Sequence, residues 1–269
     1  MLLIFFYTLV TIKKLNYMKI ISYLITFPIL KRLLSSLTRR ILIILKKENF
    51  QIKFKNLTLE TNIKDPHDRE IFLNQRYEEE QFKESFYNIK KYKIEIFLDI
   101  GANSGIYSLL VARKFSNLTI EAFEPIKSTY KKLTTNIKNN YLQEKIIAHN
   151  FGLSNENSTL KMQTNIKFGY KQSAGYFVSK DGDEEAEFIL GDKLLKYKNK
   201  NIFIKIDTEG HELFVIKGID KLILNNNIIF QIEIWDNNFK STNTLLEKYG
   251  FEYFKKINSD YYYSKFKNH

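Results

Sequence analysis

The stretch IEIFLDIGANSGIYSLLVARKF, residues 94–115, decides the fold of this chain. An apolar strand runs into Asp99, glycines follow at positions 101 and 105, and a helix with one apolar side comes next. Because glycine tolerates sharp turns, Gly101 and Gly105 let the backbone approach a ligand closely, while a polar loop residue caps the helix. A strand, a loop and a helix in this order predict a site for a nucleotide-like cofactor, although a tight turn without a ligand uses similar glycine spacings.

The second strand, TIEAF, ends next to a further acid. Glu124 follows this strand directly and lies 23 positions beyond Gly101. An acidic side chain there can accept hydrogen bonds from both ribose hydroxyls of an adenosine, and a solvent-facing glutamate is the alternative. Asp99 would repel a pyrophosphate but suits the ammonium of a methionyl tail, which favours S-adenosylmethionine over NAD. The chain also lacks a GxxxxGK[ST] loop, so a P-loop nucleotidase is not supported.

Strand and helix patterns alternate after Lys93 and predict an α/β fold with a mainly parallel sheet from about residue 94. We expect strands at 94–100, 119–123, 146–151, 202–207 and 228–234. We expect helices near 104–115, 126–139, 210–225 and 241–249. FEYFKKI and YYYSKF flank a polar turn and predict an antiparallel C-terminal hairpin. Residues 158–190 predict an inserted hairpin between the third and fourth core strands.

The N-terminal residues are strongly basic. Residues 1–60 carry eleven Lys or Arg side chains against two acids, which places +9 of the formal charge of +12 there. This asymmetry predicts an acidic partner, either membrane headgroups or nucleic acid. Within residues 30–47, apolar and basic side chains fall on opposite faces of a helix. Such a helix would place residues 1–47 on an anionic membrane surface or, equally, would dock on the catalytic core, and the apolar runs are too short to cross a bilayer.

Two domains follow from this asymmetry. We expect a basic amphipathic helical extension over 1–60 and a catalytic domain over 61–269. Asp65 and Pro66 predict the start of a helix, and RYEEEQFKESFYNIKKY predicts a second helix. Glu78–Glu80 would form a solvated face near the start of that second helix, and a lid over substrate or cofactor is the alternative.

Six segments together resemble the FkbM-type methyltransferase family. They are FLDIGANSGIYS (97–108), EAFEP (121–125), HNFGLSNENSTLKM (149–162), IKIDTEGHELFVIKG (204–218), IIFQIEIW (228–235) and LLEKYGF (245–251). The resemblance covers about 94–254 and implies a Rossmann-like class I methyltransferase sheet, S-adenosylmethionine as the methyl donor, and O-methylation of a hydroxyl, often on a sugar or polyketide-like substrate. The cofactor residues that it implies are Asp99, Gly101, Asn103, Gly105 and the ribose-binding Glu124.

The segment IDTEGHE carries the candidate catalytic residues. It ends the fourth core strand, where open α/β sheets place their ligands. His211 is the natural general base, because imidazole is partly neutral at pH 7. The family frequently has a small residue there, so Asp207 or Glu209 could instead accept the proton or orient the acceptor hydroxyl. Alternatively, Glu209 and Glu212 stabilise the start of the next helix through its dipole, and His211 is an exposed residue of the first turn.

Glu233 is a second unusual acid, since it lies in the apolar strand IIFQIEIW. A buried carboxylate needs a partner, so Glu233 would face the site or a structural network of hydrogen bonds. With Asp207 and Asp236 it could hold Mg²⁺, although no spacing demands a metal. Trp235 would stack on a sugar ring or belong to the core.

The third core strand departs from the usual methyltransferase pattern. Many methyltransferases place an acid near the adenine there, whereas this chain has Asn150, Phe151 and Gly152. Phe151 or backbone groups would hold the adenine instead.

Composition narrows the function further. The chain has no cysteine, which excludes disulfides, thiolate metal sites and a cysteine nucleophile, and which is compatible with the cytoplasm. The leading expectation is a glycan or glycolipid O-methyltransferase, cytoplasmic and peripheral on the inner face of a membrane. Methylation of nucleic acid is disfavoured, because the positive charge lies outside the catalytic domain. A non-catalytic, membrane-associated scaffold is disfavoured because both cofactor motifs are intact.

Overall fold

The structure is a computed structural model that describes residues 48–74, 77–167 and 169–266. The amphipathic helix predicted within 30–47, and with it the membrane contact predicted for 1–47, lies outside the described residues. Within the described ranges, no helix is both long and apolar enough to span a membrane.

Strands outnumber helices in the described chain. In chain order the strands are β1 (Asn49–Phe54), β2 (Leu57–Asn62), β3 (Ile96–Ile100), β4 (Thr119–Phe123), β5 (Ile146–His149), β6 (Gly152–Ser154), β7 (Ser158–Lys167), β8 (Tyr170–Val178), β9 (Glu184–Leu190), β10 (Asn201–Ile206), β11 (Asn227–Glu233), β12 (Glu252–Ile257) and β13 (Asp260–Ser264). The helices are α1 (Pro66–Asn74), α2 (Glu79–Lys91), α3 (Ile106–Lys114), α4 (Lys127–Asn139), α5 (Gly191–Leu194), α6 (Glu212–Gly218), α7 (Asp220–Asn225) and α8 (Asp236–Lys248).

A seven-stranded sheet forms the centre, in the order β12-β13-β11-β10-β3-β4-β5. The pairs among β11, β10, β3, β4 and β5 are parallel, and β13 runs antiparallel to both of its neighbours. Successive residues of a strand point to opposite faces. Phe97 therefore packs into one apolar cluster with α2, α3 and α4, while Leu98 packs into a second cluster with α6, α7 and α8. The predicted parallel sheet with an antiparallel C-terminal hairpin is confirmed.

A second, four-stranded sheet has the order β6-β9-β7-β8. It contains the hairpin predicted within 158–190 and two strands more. The third core strand was expected to run to residue 151, but β5 ends at His149 and the chain passes into β6. Gly152 permits this crossing, because a Cβ there would lie 2.4 Å from the Phe188 ring of β9.

The helix expected over 210–225 is broken into α6 and α7 around Ile219. A Cβ on Gly218 would lie 1.9 Å from the backbone oxygen of Ser154, so only glycine fits where α6 touches β6. Glycine is also a poor residue for a helix interior, which favours a break there. The last predicted helix begins at Asp236 instead of residue 241.

Residues 49–62 form the hairpin β1–β2, whereas the sequence predicted a helical extension up to residue 60. Its turn is made by Lys55 and Asn56, which both have left-handed backbone angles. Asn136 of α4 and Asn140, which follows that helix, hold the hairpin. Their side-chain oxygens accept the backbone N–H groups of Glu60 (2.8 Å) and Thr58 (2.9 Å), respectively. The boundary at residue 60 stays a prediction, but the hairpin packs on the domain that follows it.

The helix start predicted at Asp65 and Pro66 is confirmed. The Asp65 side chain accepts the backbone N–H of His67 at 3.0 Å and caps α1. At the start of α2, Glu79 and Glu80 are exposed as expected, but Glu78 is not. Its position belongs to the site described next.

Candidate active site

The loop between β3 and α3 needs both of its glycines. Gly101 and Gly105 have φ angles of 85° and 81°, in the left-handed region that favours glycine. A Cβ on Gly101 would lie 1.8 Å from the backbone oxygen of Asp207, and one on Gly105 would lie 2.2 Å from the Leu133 side chain. The loop is therefore pressed against the end of β10 on one side and α4 on the other.

Asp99, at the end of β3, is fully buried, and only one of its two carboxylate oxygens accepts hydrogen bonds. Its Oδ2 accepts the hydroxyl of Ser108 at 2.6 Å and the backbone N–H of Ser108 at 3.2 Å. Its Oδ1 is also buried but makes no hydrogen bond with any described residue. Burial raises the pKa of Asp99, and the nearby Lys205 opposes this shift. A cationic group entering the cavity would satisfy the free oxygen and favour the ionised carboxylate.

Glu124 is held by the backbone of the cofactor loop and the start of α4. Its Oε2 accepts the N–H of Asn103 at 2.9 Å, and its Oε1 accepts the N–H of Ile126 at 2.8 Å. Burial raises the pKa of Glu124 to about 8, although both backbone bonds oppose the shift. Each carboxylate oxygen has a second acceptor position, so these bonds orient the group and leave it able to bind hydroxyls. Asn103 has a φ of 49° and an unpartnered buried Oδ1 among the described residues.

A partly open cavity of ≈ 250 Å³ lies at the carboxyl ends of β3, β4 and β10. Most of the residues that the sequence singled out line it. These are Asp99, Gly101, Asn103, Glu124, Asp207, Glu209, His211 and Glu233. Gly105 is the loop residue that faces Leu133 of α4 and does not line the cavity. The Phe151 ring packs 5.2 Å from the His149 ring, next to lining residues Gly152 and Leu153. The adenine contact of Phe151 stays a prediction.

Lys205 is a cavity residue that the sequence analysis missed. It pairs in register with Asp99 on the neighbouring strand, is buried, and places its Nζ 2.8 Å from Asp207 Oδ2 and 5.2 Å from the Tyr107 ring. Burial disfavours the ammonium, but Asp207, Glu78 and Asp99 hold the pKa of Lys205 well above its usual range. A lysine inside the apolar strand NIFIKI is the same kind of signal that identified Glu233, so the sequence could have revealed it.

Of the two neighbouring carboxyl groups beside Lys205, Asp207 carries the negative charge and Glu233 holds a proton. Burial raises the pKa of Asp207, but the Lys205 ammonium outweighs this effect and holds that pKa below its usual range. The charge of Asp207, followed by burial, raises the pKa of Glu233 to about 9. Glu233 is therefore protonated at neutral pH and can donate a hydrogen bond to the ionised Asp207.

Glu78 is a second cavity residue that was not identified from the sequence. The predicted solvated face is wrong for this residue, because Glu78 lines the cavity and its buried Oε2 has no partner among the described residues. Its φ of 39° is left-handed and its side chain does not cap α2. Burial raises the pKa of Glu78 to about 7, and the Lys205 charge opposes this. Strained backbone and an unsatisfied carboxylate are costs that binding sites commonly carry.

Glu209 and His211 differ in their ability to accept a proton. Burial, followed by the charge of Asp207, raises the pKa of Glu209 to about 7. His211 lies between the rings of Phe188 and Phe214, with its Nε2 3.0 Å from the Ser154 hydroxyl, and burial lowers its pKa to about 4. His211 is thus a buried, neutral ring and not the exposed residue of the alternative interpretation.

Glu212 fits the structural interpretation. Its Oε1 accepts the N–H of Gly210 at 2.8 Å and the hydroxyl of Thr208 at 3.1 Å, so it closes the turn that starts α6. Glu212 does not line the cavity. As for a metal, no group of three or more His, Asp or Glu side chains in the described part of the chain is arranged to hold an ion.

Comparison with known sequences identifies the family. The chain belongs to the methyltransferase FkbM domain family, whose sequence profile matches residues 99–253, more than half of the chain. Methyltransferase 1 of Beauveria bassiana is 26% identical over 68% of this chain and 79% of that protein. Hexuronic acid methyltransferase AglP of Haloferax volcanii is 26% identical over 50% of this chain and 54% of that protein. The resemblance predicted from the six segments is confirmed.

The protein is therefore an S-adenosylmethionine-dependent methyltransferase. A solved structure of TYW2 from M. jannaschii in complex with AdoMet aligns with 80% of this chain and 83% of that chain, at 12% identity and a TM-score of 0.41. The cavity of this chain fits a cationic methyl donor, because three residues that line it, Asp99, Glu78 and Asn103, each have a buried oxygen without a partner among the described residues.

Proposed function

We propose that this enzyme methylates a hydroxyl of a sugar in a surface glycan or glycolipid. The observation that carries the proposal is the pairing of two features at the end of β10: a carboxylate-rich cavity for the donor, and Glu209 beside an exposed Trp235. The carboxylate-rich cavity can bind a cation, and the pair of Glu209 and Trp235 can bind a sugar.

The donor side of the cavity is built from residues that bind positive charge. Asp99 and Glu78 would hold the ammonium, and Glu124 would accept hydrogen bonds from the ribose hydroxyls. Gly101 keeps the loop close to β10, so that no side chain fills this space. When bound, S-adenosylmethionine supplies an electrophilic methyl group on a cationic sulfur.

Glu209 is the residue best suited to accept the hydroxyl proton. A general base is most effective when its pKa lies near the working pH, and the pKa of Glu209 is about 7. Asp207 is paired with Lys205 and Glu233 holds a proton at neutral pH. His211, with a pKa of about 4, is a weak base, and it would act by positioning the loop through Ser154.

Trp235 supplies a flat surface for the acceptor. Its side chain is 40% exposed, and its ring lies 3.5 Å from the position that a Cβ on Gly210 would occupy. An aromatic ring with one polar edge packs well against the apolar face of a sugar while the hydroxyls stay solvated. The name of the Haloferax relative, a hexuronic acid methyltransferase, supports a sugar acceptor. Residues 1–47 would hold the enzyme on the anionic inner face of the membrane.

The proposal is tested by deleting the gene and comparing surface glycans by mass spectrometry. We expect the loss of a methyl increment of about 14 Da, restored by the wild-type gene but not by a Glu209→Gln variant. The same purified variant must still bind S-adenosylhomocysteine in calorimetry, which shows that its cavity is intact. Glycans with unchanged masses in the deletion strain would reject a glycan acceptor.

A further inference from the structure

A second cavity, the lysine groove, adjoins the active site. It has a volume of ≈ 760 Å³ and lies between the hairpin β1–β2, the first turns of α4 and the start of β8. Four lysines line it. They are Lys64, Lys131, Lys132 and Lys171. We infer that this groove binds an anionic group of the acceptor, a carboxylate or a phosphate, an inference that rests on the proposed function.

The acids in the groove are largely engaged by the protein itself. Asp65 accepts the backbone N–H groups of His67 (3.0 Å) and Ser173 (3.3 Å). Asp68 accepts the N–H of Asn62 at 2.7 Å and forms an ion pair with Lys132. The charge of Asp68 is therefore compensated by Lys132, and both carboxylate oxygens of Asp65 accept backbone N–H groups. Glu60 is the third acid in the lining.

The remaining lysines add positive charge to the groove. Lys131 is exposed and forms no ion pair within the described ranges. Lys171 pairs with Asp183 and Glu184, but these partners are exposed or partly exposed, so solvent and salt weaken the attraction. Lys64 Nζ lies 5.8 Å from the centre of the Tyr170 ring, and both residues line the groove. An anion placed between these ammonium groups would meet favourable charge from more than one side.

The groove and the active-site cavity share a wall. Ser173 of β8 lines both spaces, and its buried hydroxyl makes no hydrogen bond with any described residue. Asp65 lines the groove, while His67, two residues later in the chain, lines the cavity. An acceptor can therefore present its hydroxyl to the cavity while its anionic group stays in the groove.

The cavity and the groove also favour ligand groups of opposite charge. Glu78, Asp99 and Glu209 surround the cavity, so a free carboxylate or phosphate is disfavoured there. In the groove, the lysines attract a carboxylate or phosphate. This separation of charge favours the orientation in which the anionic end of the acceptor lies in the groove and a hydroxyl faces the methyl donor.

The test uses the full chain, labelled with ¹⁵N and saturated with S-adenosylhomocysteine, and three probes. Sodium glucuronate, glucose 6-phosphate and neutral glucose are titrated separately while amide signals of Thr129, Tyr170 and Ser173 are followed by NMR. We expect an anionic sugar to bind at least about 3-fold more tightly than glucose, and Lys131→Glu to remove most of that preference. The matched control is Lys138→Glu, an exposed lysine on α4 outside the groove.

The outcomes separate this inference from the proposed function. A preference for glucuronate assigns the groove to carboxylates, and a preference for glucose 6-phosphate assigns it to phosphates. Equal binding of all three sugars, or equal losses in the Lys131 and Lys138 variants, overturns the groove while the methyltransferase function stands. Failure of the wild-type protein to bind S-adenosylhomocysteine would overturn the proposed function itself.

Discussion

The active-site cavity and the lysine groove differ in how they hold charge. In the cavity, Asp99, Glu124 and Lys205 are buried. Burial raises the pKa values of Asp99 and Glu124, and nearby carboxylates hold the pKa of Lys205 well above its usual range. In the groove, Lys131 and Lys171 are exposed to solvent. Charge interactions are strong in a buried site and weak where water and salt screen them. The cavity can therefore select the donor by close contacts, whereas the groove can only bias the approach and orientation of the acceptor.

The largest expected effect is on turnover. Glu209→Gln should lower kcat by ~10²–10⁴-fold, the usual scale for a positioned general base, and leave cofactor affinity nearly unchanged. Because the pKa of Glu209 is about 7, wild-type kcat should rise with pH through 7 as the carboxyl loses its proton. His211→Asn is the comparison variant. If it costs more turnover than Glu209→Gln and abolishes the pH dependence, His211 is the base that the sequence predicted.

The next effect concerns the choice of donor. Asp99→Asn keeps the size of the side chain but removes the charge, so affinity for S-adenosylmethionine should fall roughly 10–100-fold, as expected for a hydrogen bond to a charged group. Calorimetry measures this directly. Lys131→Gln, in the groove, should leave the affinity unchanged. Equal losses in both variants would mean that the two spaces do not act separately.

The smallest effect is on stability. Burial raises the pKa of Glu124 to about 8, and the charge of Asp207, followed by burial, raises the pKa of Glu233 to about 9. Both groups are ionised above pH 5 in the unfolded chain. The folded state therefore binds more protons than the unfolded state between pH 6.5 and 9, and the free energy of unfolding falls as pH rises. We expect the Tm of the ligand-free protein to drop by several degrees over this range.

The matching variants show where that pH dependence arises. Glu124→Gln cannot lose a proton, so its Tm should change less between pH 7 and 9 than that of the wild type. Lys131→Gln should retain the wild-type slope, since Lys131 lines the groove and not the cavity that holds Glu124 and Glu233. A Tm that rises with pH in the wild type would contradict the assigned pKa shifts.

Much of the fold could be predicted from local patterns. The alternating strands and helices, the C-terminal hairpin and the helix start at Asp65 are each specified by residues close together in the chain. The hairpin β1–β2 was not predicted, because the basic charge of residues 1–60 was used to set the bounds of the helical extension. Every second residue from position 57 is nevertheless buried, as in a strand: Leu57, Leu59, Thr61 and Ile63. The break between α6 and α7 was missed for a different reason. It depends on the contact of Gly218 with Ser154, 64 positions earlier in the chain.

The sequence by itself determined the loop after β3, because Gly101 and Gly105 act through backbone geometry within the seven consecutive residues that begin at Asp99. It also indicated that Asp207, Glu209, His211 and Glu212 would gather at the carboxyl end of the fourth core strand, where open α/β sheets place their ligands, and that Glu233 would face either this site or a structural network. Only the tertiary structure decided that Glu78 turns into the cavity and that Lys205 offsets the charge of its carboxylates. These roles depend on burial and on distances between residues far apart in the chain, and neither quantity is encoded in a local pattern.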